Sequence, residues 1–168
     1  MDTQTLHKIN YGMFVISTSH NGIANGQIVN TFFQVTGEPI QVVTSINKQN
    51  YTHELLTQSK KFSASILSVD VPMTFIGRFG FKSGRTTKKF EEIASITGLN
   101  NCPIPTDHCI GYVEASVINT IDVGTHTLFI AKVTNAVTLS QAEPLTYADY
   151  HLIKGGKTPK AAATYIPA

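Results

Sequence analysis

The chain has 168 residues, of which 42% are hydrophobic and 14% are charged, and its formal net charge is +2. This length suits one folded unit with its own core, so we predict a single domain over residues 1–168. The weak positive charge excludes a general binder of the nucleic-acid backbone, and no apolar run approaches the roughly 20 residues that a membrane helix needs.

Apolar alternation and β-branched residues predict six strands, at residues 11–19, 27–36, 40–46, 61–69, 111–122 and 126–139. Turn signals separate several of them, at His20-Asn21-Gly22, Asn25-Gly26, Gly37-Glu38-Pro39 and Asp122-Val123-Gly124. Because parallel strands would need crossovers of a dozen or more residues, these short turns indicate an antiparallel barrel or sandwich.

Three segments interrupt the strand pattern. Residues 52–59 predict a short helix with Thr52 as its cap, and residues 86–98 predict a second helix that ends at Gly98. From Tyr150 onwards the chain has paired glycines, two prolines and no periodicity. This last segment is predicted to be an extended arm, and its tyrosines and isoleucine indicate that it packs on another surface.

Residues 77–90, GRFGFKSGRTTKKF, contain five cations and no acid. Their glycine spacing matches neither the Walker A motif nor the dinucleotide motif. A turn at 82–85 that leads into the predicted helix at Thr86 would offer backbone N–H groups, a serine hydroxyl and cations, which suit one phosphate monoester. The alternative is a basic loop that is only solvated.

Catalytic and metal-binding motifs are absent from the sequence: it has no hydrolase motif, and no histidines stand at metal-ligand spacing. Cys102 and Cys109 match no compact zinc spacing and are interpreted as unpaired thiols. Unpaired thiols and the lack of a signal-peptide pattern predict a cytoplasmic protein. His126 begins a strand, where it could be an ordinary hydrogen-bonded edge histidine.

Neutral hydrogen-bonding residues lie on or just after two neighbouring predicted strands, at Asn30, Thr31, Gln34, Ser45, Asn47 and Thr52. They could be solvated outward-facing positions. They would also suit a polar, uncharged ring system such as a flavin, whose chemistry resides in the cofactor and needs few catalytic residues from the protein.

Four segments in this order carry a family resemblance: GQIVNTFFQVTGEPIQVVTSINKQNYTHELL, FGFKSGRTTKKF, GTHTLFIAKV and LTYADYHLIKGGKTPKAAATY. The chain resembles the flavin reductase-like FMN-binding family nearly end to end, and especially its flavoredoxin and NAD(P)H:rubredoxin oxidoreductase branch. The resemblance implies a mostly β split barrel with short helices that forms a homodimer. It also implies FMN at the edge of the barrel near the subunit interface.

The resemblance also implies roles for particular residues. Those expected beside the isoalloxazine ring are Val29, Asn30, Thr31 and Gln34, and those expected along the ring and ribityl chain are Ser45, Ile46 and Asn47. The expected phosphate contacts are Thr52, Lys82, Ser83, Arg85 and Lys89. Tyr150 and His151 would lie close to the flavin, and His126 would lie near the flavin and the nicotinamide. Thr86 and Thr125 stand where many relatives have an acid.

The expected function is therefore an FMN-binding oxidoreductase that takes a hydride from NADH or NADPH and passes electrons to a second acceptor. Free flavin, ferric iron, a rubredoxin-like protein and a flavoprotein are the candidate acceptors. Two alternatives stay open. One is an FMN-binding electron carrier without a nicotinamide site, and the other is a binding module on the same barrel that has lost flavin.

Overall fold

A computed structural model describes residues 1–167 of the chain. The fold is mostly β with few helices. After a 3-10 helix at Thr3–Lys8, the elements in chain order are β1 (Phe14–His20), β2 (Ile23–Val29), β3 (Phe32–Gly37), β4 (Ile40–Asn47), α1 (Tyr51–Ser59), β5 (Lys61–Leu67), α2 (Met73–Gly80), β6 (Ser95–Thr97), β7 (Pro103–Pro105), β8 (Cys109–Asp122), β9 (His126–Thr138) and α3 (Tyr147–Leu152). None of the helices in residues 1–167 combines the length and the apolar character needed to cross a membrane.

Seven strands form one sheet in the order β2-β1-β5-β8-β9-β4-β3, and β6 pairs with β7 in a small separate sheet. Every pairing is antiparallel, as the short turns predicted. The long β8–β9 hairpin lies between β5 and β4 in the large sheet.

The two edge strands of the large sheet, β2 and β3, are consecutive in the chain and are joined only by Asn30 and Thr31. Three steps of 3.8 Å between Cα atoms allow at most about 11 Å between Val29 and Phe32. The sheet must therefore curve until its two edges meet at this corner. It is not closed into a barrel, because β2 and β3 do not pair with each other among the described residues.

Two hydrophobic clusters cover the two faces of the sheet. Val15 belongs to a cluster with Phe75 and Phe79 of α2, whereas its neighbour Ile16 belongs to a cluster with Leu56 of α1. Successive side chains of a strand point to opposite faces, so α1 and α2 pack against opposite sides of β1. Truncating a fully buried phenylalanine such as Phe79 would cost about 3–5 kcal/mol of stability.

Several predicted elements need correction. The strand predicted at 27–36 is two strands, because the chain turns the corner at Asn30 and Thr31 within an unbroken apolar alternation. The helix predicted at 86–98 is absent, since residues 86–94 form turns and bends and β6 follows them. Glu92 has a φ of 59°, which is incompatible with a continuous helix. The predicted extended arm also begins within α3.

The helix predicted at 52–59 is confirmed as α1, but its cap is wrong. Asn50 occupies the N-cap position with extended backbone angles, and Thr52 lies buried within the first turn. Helix α2 was not predicted, and its interior contains Gly77. These changes move the helix start that faces the basic segment from Thr86 to Tyr51.

Candidate functional site

A cavity of about 370 Å³ opens where the corner at Asn30 and Thr31 meets the start of α1, the segment after α2 and the C-terminal tail. We use "the tail" for residues 153–167. The volume is in the range of small-ligand and cofactor sites. Nine of the residues predicted from the sequence line this cavity: Val29, Asn30, Thr31, Ser45, Thr52, Lys82, Ser83, Lys89 and Tyr150.

Five other predicted binding residues lie outside the cavity wall, and the first three of them are on β3 and β4. Gln34 is exposed on the edge strand β3, where its Nε2 donates to the backbone oxygen of Thr36 at 3.0 Å. Ile46 is buried in the core because it faces away from its neighbour Ser45. Asn47 uses its Oδ1 to accept from the backbone N–H of Gln49 at 3.0 Å, which shapes the chain before α1.

One end of the cavity, which we call the anion seat, is formed by the start of α1 and by residues 82–84. The first N–H groups of a helix have no partner within the helix and carry its positive dipole end. Asn50 makes no side-chain cap hydrogen bond that would satisfy them. Lys82, the Ser83 hydroxyl and the start of α1 thus line the same end of the cavity, and α1 stands in place of the helix expected at Thr86.

Lys89 is the buried cation of the anion seat, with 5% of its surface exposed. Its Nζ donates to the backbone oxygens of Gly26 at 2.9 Å and Phe79 at 3.1 Å. Burial lowers the pKa of Lys89 to about 8. Neither of the ion pairs found in residues 1–167 involves it. A buried ammonium without a carboxylate partner favours an anionic ligand beside it.

Arg85 does not line the cavity, although the sequence predicted a phosphate contact. Its Nη2 lies 2.7 Å from the Glu54 carboxylate, and its guanidinium stacks over the Tyr51 ring at 4.5 Å. Both partners of this ion pair are about half exposed, so the pair contributes little stability. Arg85 instead packs against the first turn of α1.

Asn25 and Gln27 line the cavity between the anion seat and the corner, and the sequence interpretation missed both. Asn25 is 2% exposed, and its Nδ2 donates to Thr52 Oγ1 at 2.9 Å. The buried Asn25 Oδ1 and Gln27 Oε1 have no hydrogen-bond partner among the described residues. Leaving a buried acceptor unsatisfied costs about 1–3 kcal/mol. Both oxygens are covered in the ligand-free protein, so a ligand with hydroxyl donors would satisfy them once the side-chain amides rotate toward the cavity.

Gly84 permits this arrangement. A Cβ at position 84 would lie 2.0 Å from Asn25 Oδ1, so any other residue would push the basic segment away from β2. Turns were predicted at both His20-Asn21-Gly22 and Asn25-Gly26. The first is confirmed, because β1 and β2 are joined at Asn21 and Gly22, where φ is positive in both residues, whereas Asn25 and Gly26 lie within β2. The alternation of Asn25, Gln27 and Val29 along one strand face was the signal that could have identified the polar wall.

The other end of the cavity, which we call the ring end, is formed by the corner, by Tyr147 and Tyr150 of α3, and by residues 161–163 of the tail. Asn30 Nδ2 donates to Thr164 Oγ1 at 2.8 Å, and Tyr150 OH donates to the Lys157 backbone oxygen at 2.9 Å. The tail is thereby fastened across this end of the cavity. Tyr147 had no predicted role, and apart from Tyr147 and Tyr150 the residues of this wall are small and uncharged.

His126 lies behind the tail. Its Nε2 donates to the Ala161 backbone oxygen at 3.2 Å, and its Nδ1 is 2.8 Å from Thr125 Oγ1. Because a carbonyl oxygen can only accept, the hydrogen of the neutral ring is fixed on Nε2. His126 therefore contacts a residue of the cavity wall. Burial is also the main reason that the nearby His53 has a lowered pKa, with smaller effects of Lys48 and His126.

His151 supports the tail from outside the cavity wall. Its Nδ1 donates to the Gly156 backbone oxygen at 2.8 Å, and its ring packs edge-on against Tyr147 at 4.4 Å. A Cβ on Gly156 would meet the Tyr150 ring at 2.1 Å. The prediction that the last segment packs on another surface is confirmed, and that surface is α3 and the corner of the same chain.

Cys102 and Cys109 are free and buried, and both lie away from the cavity. Burial raises the pKa of both thiols, and that of Cys109 rises to about 12. Thiols with such high pKa values are poor nucleophiles. Among residues 1–167 no group of three or more potential metal ligands converges.

Taken from one end to the other, the cavity offers an anion seat, two hydrogen-bond acceptors and a neutral, aromatic ring end. This order fits an elongated ligand that has a phosphate, then hydroxyl donors, then a flat ring with polar atoms at its edge. This order of cavity groups fits FMN, in which a phosphate, a ribityl chain and an isoalloxazine ring follow one another.

Comparisons with known proteins agree on one family. The flavin reductase like domain matches residues 6–156. The chain is 44% identical to "Ferric-chelate reductase (NAD(P)H)" of Archaeoglobus fulgidus, covering 99% of this chain and 98% of the relative. It is 46% identical to "High molecular weight rubredoxin" of Moorella thermoacetica, covering 98% of this chain and 72% of the relative.

Among solved structures, the fold matches flavin reductase HpaC complexed with NADP+ with a TM-score of 0.75. The identity is 25%, and the match covers 86% of this chain and 89% of HpaC.

Proposed function

This chain belongs to the flavin reductase like domain family, and we propose that its cavity binds FMN for an NAD(P)H-dependent oxidoreductase reaction. One observation carries the choice of FMN: the buried, carboxylate-free Lys89 lies at the same end of the cavity as the start of α1. A riboflavin would leave this seat without an anion, and FAD would extend beyond it. We also propose that residues 1–168 form a single domain.

When bound, FMN accepts a hydride from NADH or NADPH and passes electrons to a second acceptor. The residues of this chain bind and orient it. Lys89, Ser83 and the first N–H groups of α1 hold the phosphate, and Asn25 and Gln27 accept hydrogen bonds from the ribityl hydroxyls. Asn30 and Thr31 lie where the polar edge of the ring would be, and the tail excludes water from the ring end.

The reductant and the acceptors follow from the relatives. A 44% identical relative is named as an NAD(P)H ferric-chelate reductase, and a 46% identical relative is named as a rubredoxin. HpaC, which shares the fold, was crystallised with NADP+. We assign NADH or NADPH as the reductant, and a ferric chelate or a rubredoxin-like protein as the acceptor.

The experiment is a titration of flavin-free protein with FMN, FAD and riboflavin, followed by anaerobic addition of NADH and then NADPH. We expect FMN to bind at least tenfold more tightly than riboflavin, because a charge-assisted hydrogen bond contributes about 1.5–3 kcal/mol. Bleaching of the flavin band by either nucleotide supports the reductase. Equal affinity for FMN and riboflavin would contradict the assigned anion seat.

An FMN-binding electron carrier is the second candidate, and the contact between His126 and Ala161 favours it. The family resemblance implies that the nicotinamide lies near His126. In this structure the Nε2 of His126 is already hydrogen-bonded to the Ala161 backbone oxygen of the tail. A carrier would show bound FMN that stays oxidised for minutes in millimolar NADH or NADPH but is reduced by dithionite. Reduction by a nicotinamide nucleotide within seconds would exclude the carrier.

A homodimer is the proposed assembly. Phe33 of β3 pairs in register with Val43, which pairs with Ile130, and Leu128 pairs with Ile121. These residues share one face of the sheet, where Phe33 and Ile121 are exposed, Leu128 and Ile130 are half-buried and Val43 is buried. The exposed apolar residues on this face support association of two copies. A monomer mass by light scattering at micromolar concentration would contradict the dimer.

The cytoplasm is the proposed location. The two cysteines of the chain are both free, which is typical of proteins in a reducing compartment. Fractionation of the native host, with the protein detected by antibody, measures the location directly.

A further inference from the structure

The end of α3 and the part of the tail that adjoins the ring end carry an exposed surface of two aliphatic and two basic side chains. We call it the basic tail surface, and it consists of Leu152, Ile153, Lys157 and Lys160. Leu152 and Ile153 are 84% and 71% exposed, and both lysines are exposed as well. From Tyr150 to the end of the sequence there are three lysines and no acid.

Two acids close to this surface in the fold or the sequence are already engaged. Asp149 accepts a hydrogen bond from Thr146 Oγ1 at 2.7 Å at the start of α3. Asp70 accepts from Ser68 Oγ at 2.6 Å, and its pKa is lowered chiefly by that bond, with a smaller contribution from Lys154. Lys154 is therefore partly matched, whereas Lys157 and Lys160 form no ion pair among the described residues.

The basic tail surface and the cavity lie on opposite sides of α3. Tyr150 lines the cavity, and Leu152, two residues later, projects from nearly the opposite side of the same helix, so about one helix diameter, roughly 10 Å, separates them. The Lys157 backbone oxygen accepts from Tyr150 OH, and Lys160 directly precedes Ala161, which contacts His126. Both lysines are thus carried by the segment that closes the ring end.

A small hydrophilic chelate would not bind to two exposed aliphatic side chains. Aliphatic groups beside charged ones are typical of transient protein interfaces, in which the charges select and steer the partner. We propose that the basic tail surface docks a small acidic redox protein that takes one electron at a time from the ring end. This inference rests on the proposed function.

The electron balance requires two such partners for each reductant. One NAD(P)H delivers two electrons, so its oxidation reduces two one-electron acceptor proteins and releases one proton. The relative named as a rubredoxin supports this class of partner, since the chain covers 72% of that relative and the rest of it lies outside the match.

The test measures electron delivery from the FMN-loaded protein to three acceptors: an acidic rubredoxin, ferric EDTA and the uncharged 1,4-benzoquinone. The variants are Lys157→Glu, Lys160→Glu and Leu152→Ser, with Lys60→Glu as the control of equal charge change at an exposed site on α1's C-terminal cap. Each rate is measured at about 50 mM and about 500 mM salt, because surface charges are screened at the higher value.

We expect each lysine reversal to lower kcat/KM for rubredoxin about tenfold at low salt and much less at high salt. Leu152→Ser should lower it at both salt concentrations. Benzoquinone reduction should not change, and Lys60→Glu should have less than a twofold effect.

Three results would overturn the docking surface: unchanged rubredoxin rates in the lysine variants, an equal loss with ferric EDTA, or an equal loss with Lys60→Glu. If the wild type is not reduced by NAD(P)H, the proposed reductase function fails separately. The protein is then reduced with dithionite, the excess is removed, and the same transfer rates decide the docking surface.

Discussion

The anion seat and the ring end of the cavity are built in different ways. The anion seat joins α1, β2 and the segment after α2, and its main groups are backbone N–H groups, a buried ammonium and side-chain oxygens. The ring end is closed by a tail that follows the rest of the fold in sequence and is fastened by individual hydrogen bonds. Affinity should therefore depend on the anion seat, and access of reductant and acceptor on the ring end.

Among the substitutions considered, removal of the buried cation Lys89 should change FMN affinity most. Lys89→Met keeps the length of the side chain and deletes its charge, so we expect FMN affinity to fall about 100-fold. Riboflavin affinity should change less than threefold, because riboflavin has no phosphate. Fluorescence titration with both ligands measures the difference, and Lys88→Met, an exposed neighbour, is the control. Equal losses for both ligands would show that Lys89 acts on the fold and not on the phosphate.

The affinity for FMN should depend on pH, whereas the affinity for riboflavin should not. Lys89 in the free protein has a pKa of about 8, and a bound phosphate favours its charged form and raises that pKa. FMN binding must therefore take up a proton above pH 8, and FMN affinity should fall about tenfold from pH 7 to pH 9. Riboflavin affinity should stay level over this range, and a parallel fall for both ligands would contradict the role of Lys89.

The stability of the free protein should change in the opposite direction. The pKa of Lys89 is lower in the folded protein than in the unfolded chain, so the unfolded chain binds more protons between about pH 8 and pH 10.5. The penalty of burying the charge is complete below pH 8 and is relieved as the pH rises through this window. Urea unfolding should show this gain in the wild type and not in Lys89→Met.

At the ring end, His126→Ala should change rate and not affinity. Loss of one neutral hydrogen bond to Ala161 corresponds to about 1 kcal/mol, so we expect hydride transfer to slow about fivefold while FMN affinity changes less than twofold. Anaerobic stopped-flow reduction at several NADH concentrations separates the two quantities. His20→Ala, on the distant end of β1, is the control. A fall in FMN affinity with an unchanged rate would assign His126 to the cofactor instead.

The sequence predicted most strands of the large sheet and their antiparallel pairing, because both depend on local alternation and short turns, but it did not predict β6 and β7. Local composition identified the basic segment that contains Lys82 and Lys89, whereas the role of Lys89 was implied only by the family resemblance, and Arg85 of the same segment does not line the cavity. The corner at Asn30 could not be predicted, since the apolar alternation runs through it and only the curvature of the whole sheet sets its position. The missing helix at 86–98 has a similar cause: the burial of Lys89 against Gly26 and Phe79 overrides the helical spacing of its neighbours.

The smallest predicted effect tests the polar wall between the two ends. Gln27→Met removes an acceptor that has no partner in the free protein, so stability should not fall, while the ribityl chain loses one neutral hydrogen bond. We expect FMN and riboflavin to lose about threefold in affinity alike, and lumiflavin, which lacks the chain, to lose nothing. Gln34→Met is the matched control, because Gln34 was predicted to bind the ring but donates to Thr36 outside the cavity. If Gln34→Met weakens FMN binding as much as Gln27→Met does, the ligand lies along β3 and not along β2. Isothermal titration with the three flavins decides between the two strands.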